Sequence, residues 1–578
     1  MTEEIEYGPT ADFSKILHAE KYRSPHESFI DAVNRISGTL ADDEEHRKRL
    51  KESLKLMRWL PAGRVQAAVG SPHLTTAFNC FVSGTIDDSM VGIMDCFKDA
   101  ALTMRQGGGI GYDFSPIRPM HSNIASLSSP SSGPVSFMHI GDSVCSTVSS
   151  AGNRRGAQMA VLRVDHPDIE TFITAKRANG VLTRYNMSVG ITDEFMKCLI
   201  NGEQFPLQFN GIIHSYIDPT YLWDLIMRST WDWAEPGVLF LDRINGENPL
   251  YYCETICATN PCGEQPLPPN GACLLGSFNL TKYVTMTYTK KESALTYGFD
   301  FELFKADIRD AVRATDNVID STIYPLPEQE AEAKSKRRMG LGITGLANTL
   351  EVLGMPYAST DFIKQTVKIM RTLRNTAYET SIELAREKGS FPLLDSAKYL
   401  KSGFAKNLPR HIREGIRDVG LRNSHLISIA PTGTISFCAD NISSGIEPPF
   451  SLEVNRTVQG SNGEVVVKVI DFAYREWGVK GVCADELTPQ QHMSVQVACQ
   501  PFVDSAISKT CNVGDNTTWE EFKGLYLDAW KAGLKGITTF RSAGKKFGIL
   551  NKVEIDQDEE PNGEACFINP QTGEKDCG

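Results

Sequence analysis

The sequence predicts a mixed α/β protein built on parallel strands, with a helical segment ahead of them and a polar tail behind. Three observations carry this expectation. From about residue 62 to 545, apolar runs such as "AQMAVLRV" and "HLISIA" alternate with helical patterns, the order that parallel α/β architecture requires. Neither an internal repeat nor a long low-complexity linker divides that region, so one large catalytic domain is the simplest partition of the 578 residues. Hydrophobic residues make up 41% and charged residues 22%, the balance of a soluble globular chain.

The elements follow in order. Residues 1–61 form a helical segment: in "SPHESFIDAVNRIS", Ser24 is the expected N-cap, Pro25 the first helical residue and Glu27 the other half of a capping box. Phe29, Val33 and Ile36 then share one face. "DDEEHRKRLKESLKLMRWL" is acidic at its start and basic later, which suits the helix macrodipole, and "PAGR" from Pro61 is the expected stop. Residues 62–550 form the catalytic unit. Near its end, Thr488 with Gln491 and Thr518 with Glu521 make two further capping boxes, the second helix leading after Gly536 into a short strand. Residues 551–578 are acidic and poor in large apolar side chains, the composition of a mobile tail. Packing gives such a tail no use for Cys566 and Cys577, so they read as a thiol pair that exchanges with a disulfide elsewhere, with two incidental thiols as the plain alternative.

The net charge is -12 and the pI about 5.5. That excludes a general nucleic-acid-coating role, which needs excess Lys and Arg. The N-terminus "MTEEIEYGPTADFSK" resembles no secretory or transit peptide, and no window approaches a membrane span. The expected compartment is the cytoplasm, where thiols stay reduced, so the 14 cysteines require a reason other than stapling. Cys96, Cys145 and Cys198, in mixed apolar segments, read as small buried hydrophobes.

Several Gly-rich stretches invite a ligand. "GLGITG" from Gly340 matches the dinucleotide fingerprint, but the charged "EAEAKSKRRM" before it is no buried strand, so close packing of a helix, or of backbone against a ligand, is the better reading. In "RQGGGIGYDFSPIRP", Gly107 to Gly109 and Gly111 either approach a ligand or turn the chain. "HLISIAPTGTISF" runs a strand into Pro431, Thr432, Gly433 and Thr434, where small hydroxyls and free N–H groups suit a phosphate or a plain polar N-cap. "SSAGNRRGAQMAVLRV" sets Arg154 and Arg155 between glycines, as a nucleotide-contacting loop or a solvated pair.

Cys253, Cys257, Cys262 and Cys273 have three, four and ten residues between them, whereas structural zinc usually shows tighter pairs and iron–sulfur runs two or four, so a metal site is poorly supported. Thiol chemistry explains the neighbours of Cys262 better. Glu264 is placed to move a proton and Asn260 to hold a hydroxyl.

"NPCGE" with a cysteine downstream in "GACLLGSFNL", together with "FNCFVSG", "QGGGIGYDFSPIRP", "GNRRGAQMAVL", "RRMGLGITGLAN", "APTGTISF" and "SSGIEPP", resembles the catalytic chain of ribonucleotide reductases. The pattern is most similar to the adenosylcobalamin-dependent class II enzymes. The resemblance implies a ten-stranded α/β barrel of two five-stranded parallel halves, with a central finger loop. Cys262 would be the thiyl radical that takes the ribose 3′ hydrogen, and Asn260 and Glu264 would bind the hydroxyls, with Glu264 as general base. Cys80 and Cys273 would be the reducing pair, help the 2′ hydroxyl leave as water and end as a disulfide. Pro431 to Thr434 would hold substrate phosphates. Arg154 and Arg155 would relay the identity of a dNTP or ATP effector, with Asp88 and Arg118 near the effector site. Cys566 and Cys577 would re-reduce the pair, supplied by thioredoxin or glutaredoxin.

The radical source is the remaining question, since side chains do not start a radical unaided. Class I enzymes carry adjacent tyrosines where this chain has Thr538, Thr539 and Phe540, and no glycyl-radical motif lies near the C-terminus. Adenosylcobalamin is therefore the expected cofactor. The alternative is a class I-like chain fed by a separate metal-bearing subunit. No protein metal site is expected. Without a segment resembling an ATP-cone or a monomer-specific insertion, a homodimer with no overall dATP shut-off is expected.

Overall fold

The computed structural model describes residues 7–124, 128–148, 157–177, 180–289, 294–460, 463–514 and 516–541, with short strands at Phe567–Ile568 and Lys575–Asp576. Cys566 and Cys577, like Arg154 and Arg155, lie outside the described residues.

Three helices open the chain: α1 (Asp12–Tyr22), α2 (Phe29–Leu40) and α3 (Glu44–Lys55). Helix α2 begins later than its sequence suggests. The capping box is Ser28 with Asp31, not Ser24 with Glu27. Glu27 does reach back to the Ser24 N–H at 2.9 Å, but His26 at φ 67° turns the chain and delays the helix. Asp43 caps α3. That helix ends before "PAGR", and Trp59–Pro61 is instead a strand, β1.

The remaining elements used below are β2 (Cys80–Val82), α4 (Met90–Arg105), β3 (Gly109–Asp113), β4 (Gln158–Arg163), β5 (Tyr185–Ile191) and β6 (Gly237–Phe240). They continue with β7 (Ala258–Thr259), β8 (Pro266–Leu267), β9 (Ala272–Cys273), β10 (Leu275–Asn279), α5 (Phe301–Ser321) and β11 (Gly340–Thr344). Last come α6 (Thr360–Lys388), α7 (Gly433–Cys438), α8 (Pro489–Cys499), β12 (Thr510–Val513), α9 (Trp519–Lys531) and β13 (Gly536–Arg541). Helices α8 and α9 carry the capping boxes expected at Thr488/Gln491 and Thr518/Glu521.

Two sheets form the centre. One has eight strands in the order β9-β2-β3-β4-β5-β6-β13-β12, and the other has three, β1-β10-β11. Strands β2 to β6 run parallel to one another. Antiparallel seams lie at β9/β2 and β6/β13. The ladders do not close into one ten-stranded sheet among the described residues. "HLISIA" is extended and buried but joins only through isolated parallel bridges, Leu341 to Ile427 and Ile429 to Ile507.

Alternation along β4 shows how the large sheet serves two cores. Ala160 and Leu162 pack with Phe97 and Tyr112 on the side covered by α4. Met159 and Val161 face the opposite way, into a core shared with Ala258, Leu267, Leu341 and Leu373. No helix among the described residues is long and apolar enough to cross a membrane.

Candidate active site

Strands β7 and β8 form a short hairpin, Ala258 opposite Leu267 and Thr259 opposite Pro266, whose tip is "NPCGEQ". The tip is closed from within. Asn260 N–H donates to Gln265 O at 3.1 Å and Gly263 N–H to Asn260 O at 3.0 Å. Gln265 N–H donates to Asn260 Oδ1 at 3.0 Å. Gly263 sits at φ 84°, which a Cβ would strain. Asn260 and Glu264 are buried, at 0% and 2% exposure, while Cys262 between them is exposed. Asn260 Nδ2 is buried with no hydrogen-bond partner among the described residues.

Three other segments of the chain hold this tip. Asn186 of β5 donates from Nδ2 to Pro261 O at 2.8 Å. Ser428 Oγ and Ala506 N–H both donate to Glu264 O, each at 2.9 Å. Beneath the hairpin, Gly111 of β3 lies so close to the Thr259 carbonyl that a Cβ would overlap it. Among the glycines of "QGGGIGY", Gly111 thus serves close approach of backbone to backbone, while Gly107 and Gly108 make room for the Arg64 and Phe81 side chains. The same holds for "GLGITG": it is the buried strand β11, where a Cβ on Gly340 would strike Gln265 Nε2 and one on Gly342 the Ser428 carbonyl.

Cys80 and Cys273 are register partners across the β2/β9 seam. Partners in an antiparallel pair have Cα atoms about 4.5–5.5 Å apart, inside the span a disulfide bridges. Both residues are buried, at 4% and 0% exposure. Gly109 ties them to the hairpin: its Cβ position lies 3.2 Å from Cys80 Sγ and 3.2 Å from Pro261 Cγ, so those two atoms are within twice that distance of each other.

Behind the hairpin stands a buried ion network. Glu254 pairs with Arg338 at 2.6 Å and Lys336 at 2.8 Å, and Glu332 joins both cations. Burial pushes the Glu254 carboxyl up, but Arg338 and Lys336 outweigh it and hold it below the usual carboxylate range. The network fastens the approach to the hairpin onto the residues that lead into β11.

The Pro431–Thr434 loop begins three residues after Ser428. Thr432 is left-handed at φ 52° and precedes α7. Its Oγ1 meets Thr344 Oγ1 at 3.0 Å and Ser436 Oγ at 3.1 Å, and accepts from Gly445 N–H at 2.7 Å. Above Gly433 the space is open, with nothing within 4 Å of an added Cβ.

Arg118 donates to Asp88 twice, from its side-chain Nε to Oδ2 at 2.8 Å and from its backbone N–H to Oδ1 at 3.1 Å. The other cysteines vary. Cys145 and Cys198 are buried as expected and Cys96 is partly so, whereas Cys253 is exposed. Burial pushes the Cys257 thiol up to about 11.

Sequence reasoning missed Asn186, Ser428 and Ala506. Asn186 and Ser428 left a faint signal, each a polar residue inside an otherwise apolar strand run, "RYNMSVGI" and "HLISIA".

Comparison with known proteins points to one family. The family model for the ribonucleotide reductase barrel domain matches residues 78–540. A vitamin B12-dependent ribonucleoside-diphosphate reductase of Mycobacterium tuberculosis (strain CDC 1551 / Oshkosh) is 34% identical, over 93% of this chain and 79% of the relative. A protein of the same name from Thermoplasma acidophilum is also 34% identical, over 91% of this chain and 68% of its own length. The ribonucleoside-diphosphate reductase subunit alpha of Helicobacter pylori (strain J99) is 25% identical over 80% of this chain and 70% of the relative. With the barrel match spanning most of its length and a relative 34% identical over 93% of this chain, the chain belongs to the ribonucleotide reductase family.

Proposed function

We propose that this chain reduces ribonucleotides to 2′-deoxyribonucleotides by thiyl-radical chemistry, with adenosylcobalamin as the radical source. The observation that carries the reading is the convergence at Gly109, where the Cys80 thiol and the hairpin bearing Cys262 crowd one point and Cys273 faces Cys80 across the seam.

In this reading Cys262, exposed at the tip, takes the 3′ hydrogen of the ribose and later returns it. Glu264, buried one residue beyond Gly263, accepts the 3′ hydroxyl proton, and Asn260 Nδ2 donates to a ribose hydroxyl. One thiol of the Cys80/Cys273 pair protonates the leaving 2′ hydroxyl, which departs as water. The pair supplies two electrons and ends as a disulfide, so each turnover converts one ribonucleotide and one dithiol into one deoxyribonucleotide, one disulfide and one water.

Adenosylcobalamin, when bound, supplies the radical by homolysis of its cobalt–carbon bond. Cys262 and Gly263 would face it: the thiol is exposed, and an added Cβ on Gly263 would meet nothing within 4 Å. The names of the Mycobacterium and Thermoplasma relatives support this source. A second reading, radical delivery by a metal-bearing subunit, draws on the Helicobacter relative. Thr538, Thr539 and Phe540 on β13 weigh against it, because none of them readily carries a redox hole.

The finer architecture belongs to the same reading. Five adjacent parallel strands, β2 to β6, make one half of the barrel. The bridges at Ile427 and Ile429 and the chain continuity from β9 into β10 support a second half of β10, β11, the 425–430 run, the 506–513 run and β13. The Pro431–Thr434 loop takes substrate phosphates. Asp88 and Arg118, with Arg154 and Arg155, read a dNTP or ATP effector. Met90, Val91, Met94 and Leu102 expose an apolar stripe on α4, which supports a homodimer. Cys566 and Cys577 pass electrons from thioredoxin or glutaredoxin to the active pair, which suits a reducing cytoplasm.

The test is deoxyribonucleotide formation with dithiothreitol, with and without adenosylcobalamin. Activity that requires the cofactor and vanishes in Cys262→Ser is expected. Absence of product with the cofactor present would overturn the assignment.

A further inference from the structure

We propose that Asp440 is a positioning residue for substrate phosphates, pinning the N-terminal helix α1 to the far end of α7 and thereby fixing the Pro431–Thr434 loop. The inference rests on the phosphate-loop reading given above and adds what holds that loop in place.

Asp440 follows α7 by two residues and is 1% exposed. Its Oδ1 accepts the N–H groups of Thr10 at 2.8 Å and Ala11 at 2.9 Å, and its Oδ2 accepts the Thr10 hydroxyl at 3.1 Å. Ala11 is the N-cap of α1 and offers no side-chain cap of its own. A carboxylate more than four hundred residues away thus accepts the N–H of the N-cap residue and of the residue before it. Asp440 and Asn441, at φ 66° and 60°, turn the chain away so that the carboxylate reaches α1.

Independent contacts run beside it. Ser14 Oγ donates to Phe437 O at 2.6 Å, satisfying a carbonyl at the end of α7. Phe13 meets Phe437 edge-on, with ring centroids 6.1 Å apart. Phe13, Leu17 and Tyr22 of the N-terminal segment bury with Ile435, Cys438 and Ala439 in a small core separate from the two large ones.

The consequence is mechanical. Helix α7 has six residues, about 9 Å of rigid backbone. At its start, Thr432 is tied to Thr344 of β11. At its end, Asp440 and Ser14 tie it to α1. Releasing the far end lets the short helix tilt, and its first turn is where Gly433 opens to free space.

Equilibrium binding of a ribonucleoside diphosphate and of the matching ribonucleoside, measured with Asp440→Ala, Asp440→Asn and Gly433→Ala, tests this. Asp440→Ala should weaken the diphosphate by about tenfold and the nucleoside far less, with Asp440→Asn recovering part of the loss. Equal loss for both ligands, or no loss, would overturn the proposal. Should Asp440→Ala fail to fold, Ala11→Pro removes a single N–H at φ -72°, where proline fits, and should still weaken the diphosphate selectively. Gly433→Ala separates the two claims. If it weakens the diphosphate and the Asp440 variants do not, the brace fails alone. If it changes nothing, the phosphate-loop reading fails and takes the brace with it.

Discussion

Cys80 faces Cys273 across an antiparallel seam, 193 positions apart in sequence and partners in register. The seam is where the run of parallel strands that begins at β2 meets the chain leading into β10, so the pair sits at a junction between the two sheets. With Cys566 and Cys577 changed to serine, so that the tail cannot re-reduce it, and in the absence of any reductant, one cycle should convert this pair to a disulfide and stop. We expect about one deoxyribonucleotide per active chain before turnover ceases. Peptide mapping should then recover Cys80 joined to Cys273. A burst well above that yield, or a disulfide elsewhere, would refute the assignment of this pair.

Gly111 carries the hairpin as directly as any side chain, because the Thr259 carbonyl occupies the place where its Cβ would stand. Gly111→Ala must push β7 off β3 and shift Cys262 with it. A displacement near 1 Å costs on the order of 10²-fold in rate, while the overpacking itself destabilises by about 1–3 kcal/mol. Single-turnover kinetics beside a thermal unfolding scan separates the two effects. Wild-type rates would mean that the hairpin does not depend on this contact.

These relationships explain what was legible in the sequence. Capping boxes at Thr488 and Thr518 were readable because both partners lie within one turn. Ser24 and Glu27 imitate the same signal, but the left-handed turn at His26 belongs to tertiary context that local chemistry does not encode. The cysteine, amide and carboxylate of "NPCGE" were readable as chemistry. Their support was not: Asn186 reaches Pro261 from 75 positions away, and Ser428 reaches Glu264 from 164. Neither partner carries a local pattern. The "GLGITG" strand was hidden for a different reason, since its glycines answer to Gln265 and Ser428 across the fold.

Asn260 does two things with one amide. Its Oδ1 closes the hairpin tip by accepting from Gln265 N–H at 3.0 Å, and its Nδ2 is buried with no partner among the described residues. Asn260→Asp separates these roles, keeping an acceptor for Gln265 and removing the donor. The tip should stay folded, with a melting temperature close to the parent's. The quantity kcat/KM should fall by about 10- to 100-fold, as expected for a lost hydrogen bond and a second carboxylate near Glu264. Equal loss of stability and activity would assign Asn260 a purely structural part.

Glu351 offers a test of stability against pH away from the site. It is 8% exposed at the end of the helix Leu346–Val352. Its Oε1 accepts from Val482 N–H at 2.9 Å, and its Oε2 has no partner among the described residues. Burial, with some help from the nearby Asp471 and against the pull of the Val482 N–H, pushes this carboxyl from 4.5 up to about 7. The folded chain therefore holds a proton between those values that the unfolded chain has released. Its contribution is complete below pH 4.5 and is lost as pH rises through about 7. At about 1.4 kcal/mol per pH unit, the loss approaches ~3 kcal/mol. Glu351→Gln keeps the shape and the acceptor but cannot ionise. The variant should match the parent near pH 5 and exceed it by up to ~3 kcal/mol at pH 8, measured by denaturant unfolding at both values. Titrations elsewhere in the chain affect both proteins alike and cancel in the difference. A gap between the two that stays constant with pH would mean that Glu351 ionises in the fold as readily as in the unfolded chain.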